Sequence, residues 1–205
     1  DTRKKCYGIA LDIGTTTVVA LLWDLKNGKL IERAVKTNPQ NIFGADVVSR
    51  IQYSMESSDG PHILGEKIKS CLNGIIDKFK KNNDIAKNHI FEIVVVGNTT
   101  MNHLFLDINP GGLAEAPFTP VFCGPIDVSA GELGIKINPL ANIHLLPNIS
   151  GHIGSDVMGT ILAIGLDSLK GVNLTIDIGT NGEILLCKDG RIIACSTAAG
   201  PAFEG

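Results

Sequence analysis

Two nine-residue strings in this sequence have the residue types and spacing to handle phosphate. Residues 9–17 read Ile-Ala-Leu-Asp-Ile-Gly-Thr-Thr-Thr, and residues 174–182 read Leu-Thr-Ile-Asp-Ile-Gly-Thr-Asn-Gly. In each, an apolar strand runs into Asp-Ile-Gly-Thr. Gly14 lets the chain turn sharply. The successive N–H groups of Thr15, Thr16 and Thr17 then line a concavity of the kind that binds phosphate oxygens. The Asp12 carboxylate at its rim is a hard oxygen ligand suited to hydrated Mg2+. Asp177, Gly179, Thr180 and Asn181 repeat the set, with Asp177 as the second metal-holding carboxylate. One copy is also an ordinary capped turn; two copies in matched positions point to a pair of phosphate loops.

The elements that carry these strings repeat too. Each string is followed by an apolar run (Val18–Leu25; Ile184–Cys187), a turn dipeptide (Asn27-Gly28; Asp189-Gly190) and another run (Lys29–Val35; Arg191–Cys195). Asn-Gly and Asp-Gly between such runs predict hairpins. The repeated unit is thus strand, glycine turn, strand, hairpin, strand, and residues 8–35 and 174–196 should have the same form.

Between the copies the period changes. Pro61 opens a segment to residue 81 with Leu64, Ile68, Leu72, Ile75, Ile76 and Phe79 on one stripe, which predicts an amphipathic helix. A shorter helix is expected over Ile42–Met55 with Val47, Val48 and Ile51 inward. Phe91–Val96 has the β-branched density of a strand buried on both faces of a parallel sheet. It ends at Gly97-Asn98, a position where α/β proteins bind ligands, and Asn98 can cap the following helix. Residues 106–142 contain five prolines and several glycines and read as a long surface excursion open to a partner. A strand is expected at Ile143–Pro147. A helix over Ser155–Leu166 is rich in small residues, which implies close approach of another backbone. The second copy follows.

Composition narrows the function classes. Lys plus Arg (18) and Asp plus Glu (21) give a formal charge of -3, so no basic field exists for nucleic acid. No apolar run has the roughly 18 residues of a membrane span, and a cytoplasmic location is expected. Cys6, Cys71, Cys123, Cys187 and Cys195 show no C-x-x-C, so they read as buried free thiols. The five histidines lack metal-ligand spacing, and no P-loop or G-x-G-x-x-G occurs. The first residue is Asp, as in a segment of a longer protein.

The order of Asp-x-Gly-Thr hairpin, long helix, buried strand, small-residue helix and second hairpin resembles the actin, sugar kinase and heat-shock chaperone ATPase superfamily. That resemblance implies an α/β fold with two ribonuclease H-like lobes clamping ATP and Mg2+. The first lobe would be residues 1–168, with its excursion at 106–142, and residues 169–205 would begin a truncated second lobe. It also implies that the helix from Asp156 connects the lobes, with Asp156 near metal and attacking water as a third catalytic carboxylate beside Asp12 and Asp177. Gly97 and Asn98 would join the nucleotide-binding set. Three longer strings, Gly97–Leu104, Ile149–Asp156 and Ala198–Gly205, are similar to the ATP-dependent reductive activators of corrinoid proteins. The resemblance implies ATP hydrolysis that drives an electron onto cob(II)alamin in a corrinoid protein or corrinoid-dependent methyltransferase. Those activators carry a [2Fe-2S] cluster in a separate ferredoxin-like domain, whose cysteine pattern this sequence lacks. A small-molecule kinase of the same fold and a non-enzymatic actin-like scaffold are the alternatives. An apolar second-copy hairpin without its covering helices also suggests homo-oligomerisation.

Overall fold

The computed structural model describes residues 5–179 and 181–198. Strands β1 (Tyr7–Ile13), β2 (Thr17–Asp24) and β3 (Lys29–Thr37) form an antiparallel meander. β4 (Ile90–Gly97) lies parallel to β1 on its other side. β6 (Asn142–Leu145) continues parallel to β4, and β5 (Ile126–Ser129) pairs antiparallel at the edge. The sheet order is β3-β2-β1-β4-β6-β5.

Side-chain alternation in β1 decides which face is core. Ile9, Leu11 and Ile13 are buried on one face, so Ala10 and Asp12 necessarily project from the other. The core face is covered by α2 (Gly60–Asn83), whose Leu64, Ile68, Leu72, Ile75, Ile76 and Phe79 are all sealed from solvent, as the helical stripe predicted. Each such side chain contributes about 2 kcal/mol of burial. α2 stops where Asp84 turns left-handed (φ 50°) and its N–H returns to the Lys80 carbonyl.

Four expectations need correction. Of the five cysteines expected to be buried only Cys187 is, while Cys6 and Cys71 are half-buried and Cys123 and Cys195 exposed. The helix over Ile42–Met55 is two pieces: a 3-10 turn at Pro39–Phe43, then α1 (Val47–Glu56), started by an Asp46–Ser49 capping box. Its inward set is Arg50, Ile51 and Ser54, while Val48 is 70% exposed. Residues 106–142 do not merely skirt the surface. They supply β5, and Ala130, Ile135, Ile137 and Ala141 enter the main core. Prolines mark the irregular connections, but the buried aliphatics between them pin the segment down. Buried His103 ties it to α3 (Thr99–Phe105): its Nδ1 bonds the Thr99 carbonyl at 2.7 Å and its Nε2 accepts the Val121 N–H at 3.0 Å. Finally, β4 is fully buried on one face only. Ile93 and Val95 are sealed, while Val94 and Val96 are half-buried beside a cavity.

The second copy forms its own sheet, β7 (Val172–Ile178), β8 (Asn181–Lys188) and β9 (Arg191–Ala198), with the same antiparallel order as β1–β3. The connections differ in length. Lys188 and Arg191 are paired across a two-residue Asp189-Gly190 turn with both φ values positive, whereas Asp24 and Lys29 flank four residues. Helix α4 (Ser155–Ile164) links the sheets. Its large side chains Val157 and Ile161 pack with Leu185 and Cys187 of the second sheet. Its small residues face β4: a Cβ on Gly159 would lie 3.2 Å from Val96, and one on Gly154 would collide with the Gly97 carbonyl. Gly154, at the N-cap, therefore marks a close backbone approach, whereas Gly159 abuts the Val96 side chain and Gly165 serves the left-handed C-cap.

Candidate functional site

The alternation that seals Ile9, Leu11 and Ile13 in the core leaves Asp12 on the opposite face of β1, beside the second sheet. Asp12 is the penultimate residue of β1 and Asp177 the penultimate residue of β7, so both stand at strand-to-turn junctions, as the repeat predicted. Asp156 is the second residue of α4. These three carboxylates come from three elements and line one cavity of about 350 Å3, together with Val94, Val96, Gly159 and Thr160.

Asp12 and Asp156 both have a raised proton affinity. Partial burial, then repulsion from Asp156 and Asp177, pushes Asp12 up to about 6. Asp156 is raised by burial and by Asp177, against the pull of the Val157 N–H on its Oδ1 at 2.8 Å. A fourth member, Glu183, is raised to about 7 by burial, then by Asp156 and Asp177. Matching the two copies in sequence missed Glu183 because its counterpart is apolar: Asp177 is paired with Glu183, but Asp12 with Val19.

The first turn is held from behind. Gly14 N–H bonds the Thr17 carbonyl at 2.9 Å. The Gly14 carbonyl accepts from Asn38 Nδ2 (2.8 Å), the Thr15 carbonyl from Arg50 Nη2 (2.7 Å) and the Thr16 carbonyl from the Asn38 N–H (2.8 Å). In a planar trans peptide the N–H points opposite to the C=O. The N–H groups of Thr15, Thr16 and Thr17 therefore point away from Asn38 and Arg50. Neither residue stood out in the sequence; the only hint was an Arg beside Ile51, on the inward stripe of α1.

Asn98 caps α3 by accepting the Met101 N–H at 3.0 Å, as expected, and its Nδ2 donates to Thr15 Oγ1 at 3.0 Å. Gly97 packs against the start of α4: its N–H donates to Ser155 Oγ at 3.2 Å, and its carbonyl touches the place where Gly154 lacks a Cβ. The second turn is tighter than the first, since Gly179 N–H bonds the Asn181 carbonyl at 3.1 Å, two residues on. Thr180 lies outside the described residues. Asn181 lines a second cavity, about 580 Å3, that also takes in Asn98, Thr99 and Thr100. Away from both cavities, His62, Glu66 and Asp107 could group around a cation, but the Lys69 ammonium already sits there, 2.7 Å from Asp107 and 3.1 Å from Glu66.

Residues 7–169 match the family described as the RACo middle region, and residues 171–205 match the C-terminal domain of RACo, the ASKHA domain. The chain belongs to the RACo family. It is 39% identical over 205 residues to the corrinoid activation enzyme RamQ of Eubacterium limosum, covering all of this chain and 34% of that protein. It is 28% identical to a [Co(II) methylated amine-specific corrinoid protein] reductase of Methanosarcina barkeri, over 97% of this chain and 37% of that one. A solved structure of a reductive activator for corrinoid, iron-sulfur protein superposes with a TM-score of 0.94 at 40% identity, over 98% of this chain and 32% of that chain. The actin-like fold expected from the two hairpins is thus the family's fold, and the chain spans about a third of the length of these relatives. No helix among the described residues is long and apolar enough to cross a membrane.

Proposed function

We propose that this chain is the nucleotide-handling part of a reductive activator, in which ATP binding and hydrolysis drive electron transfer to a corrinoid protein. The observation that carries the reading is the convergence of Asp12, Asp156 and Asp177, from β1, α4 and β7, on one cavity beside two Gly-Thr turns. The division follows the two sheets, with residues 1–168 as first lobe and 169–205 as the start of the second.

The donor set fits Mg2+: a cluster of carboxylate oxygens, in which burial and neighbouring negative charge hold Asp12 and Asp156 above the ordinary carboxylate range, gains from a hard divalent cation. Asp12 and Asp177 would hold it, and its charge would offset that of the phosphates. The chain's own groups do the rest. Peptide N–H groups of Thr15, Thr16 and Thr17, fixed by the bonds behind them, receive phosphate oxygens without reorganising during reaction. Gly179, Thr180 and Asn181 would be the opposing phosphate-binding set, and Asn98 holds the Thr15 hydroxyl in place. Asp156, held by the Val157 N–H on its Oδ1, would orient the attacking water. α4 touches both sheets and would carry a change at the nucleotide into a change of lobe angle.

The electron would come from a [2Fe-2S] domain elsewhere in the same protein, and the acceptor would be a corrinoid protein or corrinoid-dependent methyltransferase. The test is ATP turnover by the full-length gene product, with and without its corrinoid partner, while cob(I)alamin is followed by absorbance. The reading expects ATP-dependent formation of the Co(I) state, suppressed by Asp12→Ala or Asp177→Ala. Reduction that proceeds equally without ATP, or in those variants, refutes it.

A further inference from the structure

Arg50 is the largest fully buried side chain among the described residues. Its five N–H groups meet five neutral acceptors. Nε donates to the Gly44 carbonyl (2.9 Å), Nη1 to Gln40 Oε1 (3.2 Å) and Met101 Sδ (3.5 Å), and Nη2 to the Thr15 carbonyl (2.7 Å) and Asn41 Oδ1 (2.6 Å). Among the described residues no carboxylate forms an ion pair with it. Asp46, whose charge it feels, is exposed and committed to capping α1 through Ser49. Burial lowers the guanidinium to about 10, so it remains charged at neutral pH. A buried ion without a counterion costs several kcal/mol, and a packed apolar side chain would cost less. Stability alone therefore gives no reason for an arginine here.

Its position supplies the reason. Arg50 stands directly behind the Thr15 peptide, and Asn38, linked to it through Gln40, holds the peptides on either side. On the far side of those same peptides lie the N–H groups assigned above to phosphate.

We propose that Arg50 is the fixed internal countercharge for the anion bound at the Gly14–Thr17 turn, a positioning residue that aims the peptides and raises the positive potential behind them without touching the ligand. This rests on the nucleotide reading. From the guanidinium through one carbonyl and one peptide to a bound phosphate oxygen is about 8 Å by ordinary bond and hydrogen-bond lengths. One unit charge at that distance, at an effective dielectric of about 20, changes anion affinity about 30-fold.

The experiment is calorimetric titration of the full-length gene product with MgATP and, as an uncharged control, adenosine. Arg50→Met should weaken MgATP about 30-fold and leave adenosine unchanged. Arg50→Lys, which keeps the charge but loses donors, should stay within about threefold of wild type for MgATP. Should Arg50→Met fail to fold, Gln40→Glu decides: it places a carboxylate on Nη1, cancels the charge in place, and should weaken MgATP as Arg50→Met would. Equal loss of MgATP and adenosine, or unchanged MgATP affinity in the charge-cancelled variant, overturns the proposal and leaves the nucleotide reading standing. Wild type that binds no phosphate-bearing ligand overturns both.

Discussion

Replacing Asp12 by asparagine should make the ligand-free protein more stable at neutral pH while removing its function. In the fold, the Asp12 carboxyl is raised from 3.8 to about 6 by burial and by repulsion from Asp156 and Asp177. A folded pKa above the unfolded one means that the native state binds more protons between those values. Stability then falls as pH rises through that window, and the full cost is present above about pH 6. The shift converts to about 3 kcal/mol at 1.36 kcal/mol per unit. Asp12 is open to the cleft, so solvent screening reduces the usable figure to about 1 kcal/mol. The neutral amide of Asp12→Asn removes that cost and should raise the melting midpoint at pH 8 by about 2–4 °C.

The assay is thermal unfolding of wild type and variant from pH 4 to 8 in chelator, then with millimolar Mg2+. The gain should be full above pH 6, shrink toward pH 4, and reverse with Mg2+, which stabilises only the wild type if Asp12 holds the ion. A variant no more stable than wild type at pH 8, or a gain that does not change with pH, refutes the electrostatic argument.

Three further outcomes are expected. Gly154→Val should destabilise by more than about 2 kcal/mol and lower nucleotide affinity, because even a Cβ there collides with the Gly97 carbonyl and comes within 2.5 Å of Asn98 Cα; denaturation midpoints and nucleotide titration check both. Val48→Lys should be neutral to within about 0.5 kcal/mol, whereas Ile51→Lys, on the buried side of the same helix, should prevent stable folding; solubility and circular dichroism distinguish them. His103 is kept neutral, its affinity for a second proton lowered by burial, so that contribution is present above about pH 6.5 and is lost as pH falls below it. Amide exchange at Val121, whose N–H bonds His103 Nε2, should accelerate on acidification more than at buried β1 amides, and equal rates would count against it.

The repeated Asp-Ile-Gly-Thr strings, the long apolar stripe of α2 and the small residues of α4 were legible because each is a local pattern with a short-range cause. A turn needs glycine where the chain reverses, a helix shows its buried face every three or four residues, and a close approach leaves no room for a side chain. Sequence alone thus determined the two hairpin units, the helix that separates them and the placing of Asp12 and Asp177 at strand ends. It could not show that residues 126–141 return to the core, because a proline-rich segment is buried or not according to what the rest of the chain leaves uncovered. Nor could it show Glu183 beside Asp177, which cross-strand register decides, or Arg50 behind the Thr15 peptide, 35 positions away in the chain. Electrostatic effects depend on distance and burial, and both are set only when the chain has folded. The carboxylate cluster and the buried guanidinium are therefore properties of the tertiary structure, although every residue in them was in view from the start.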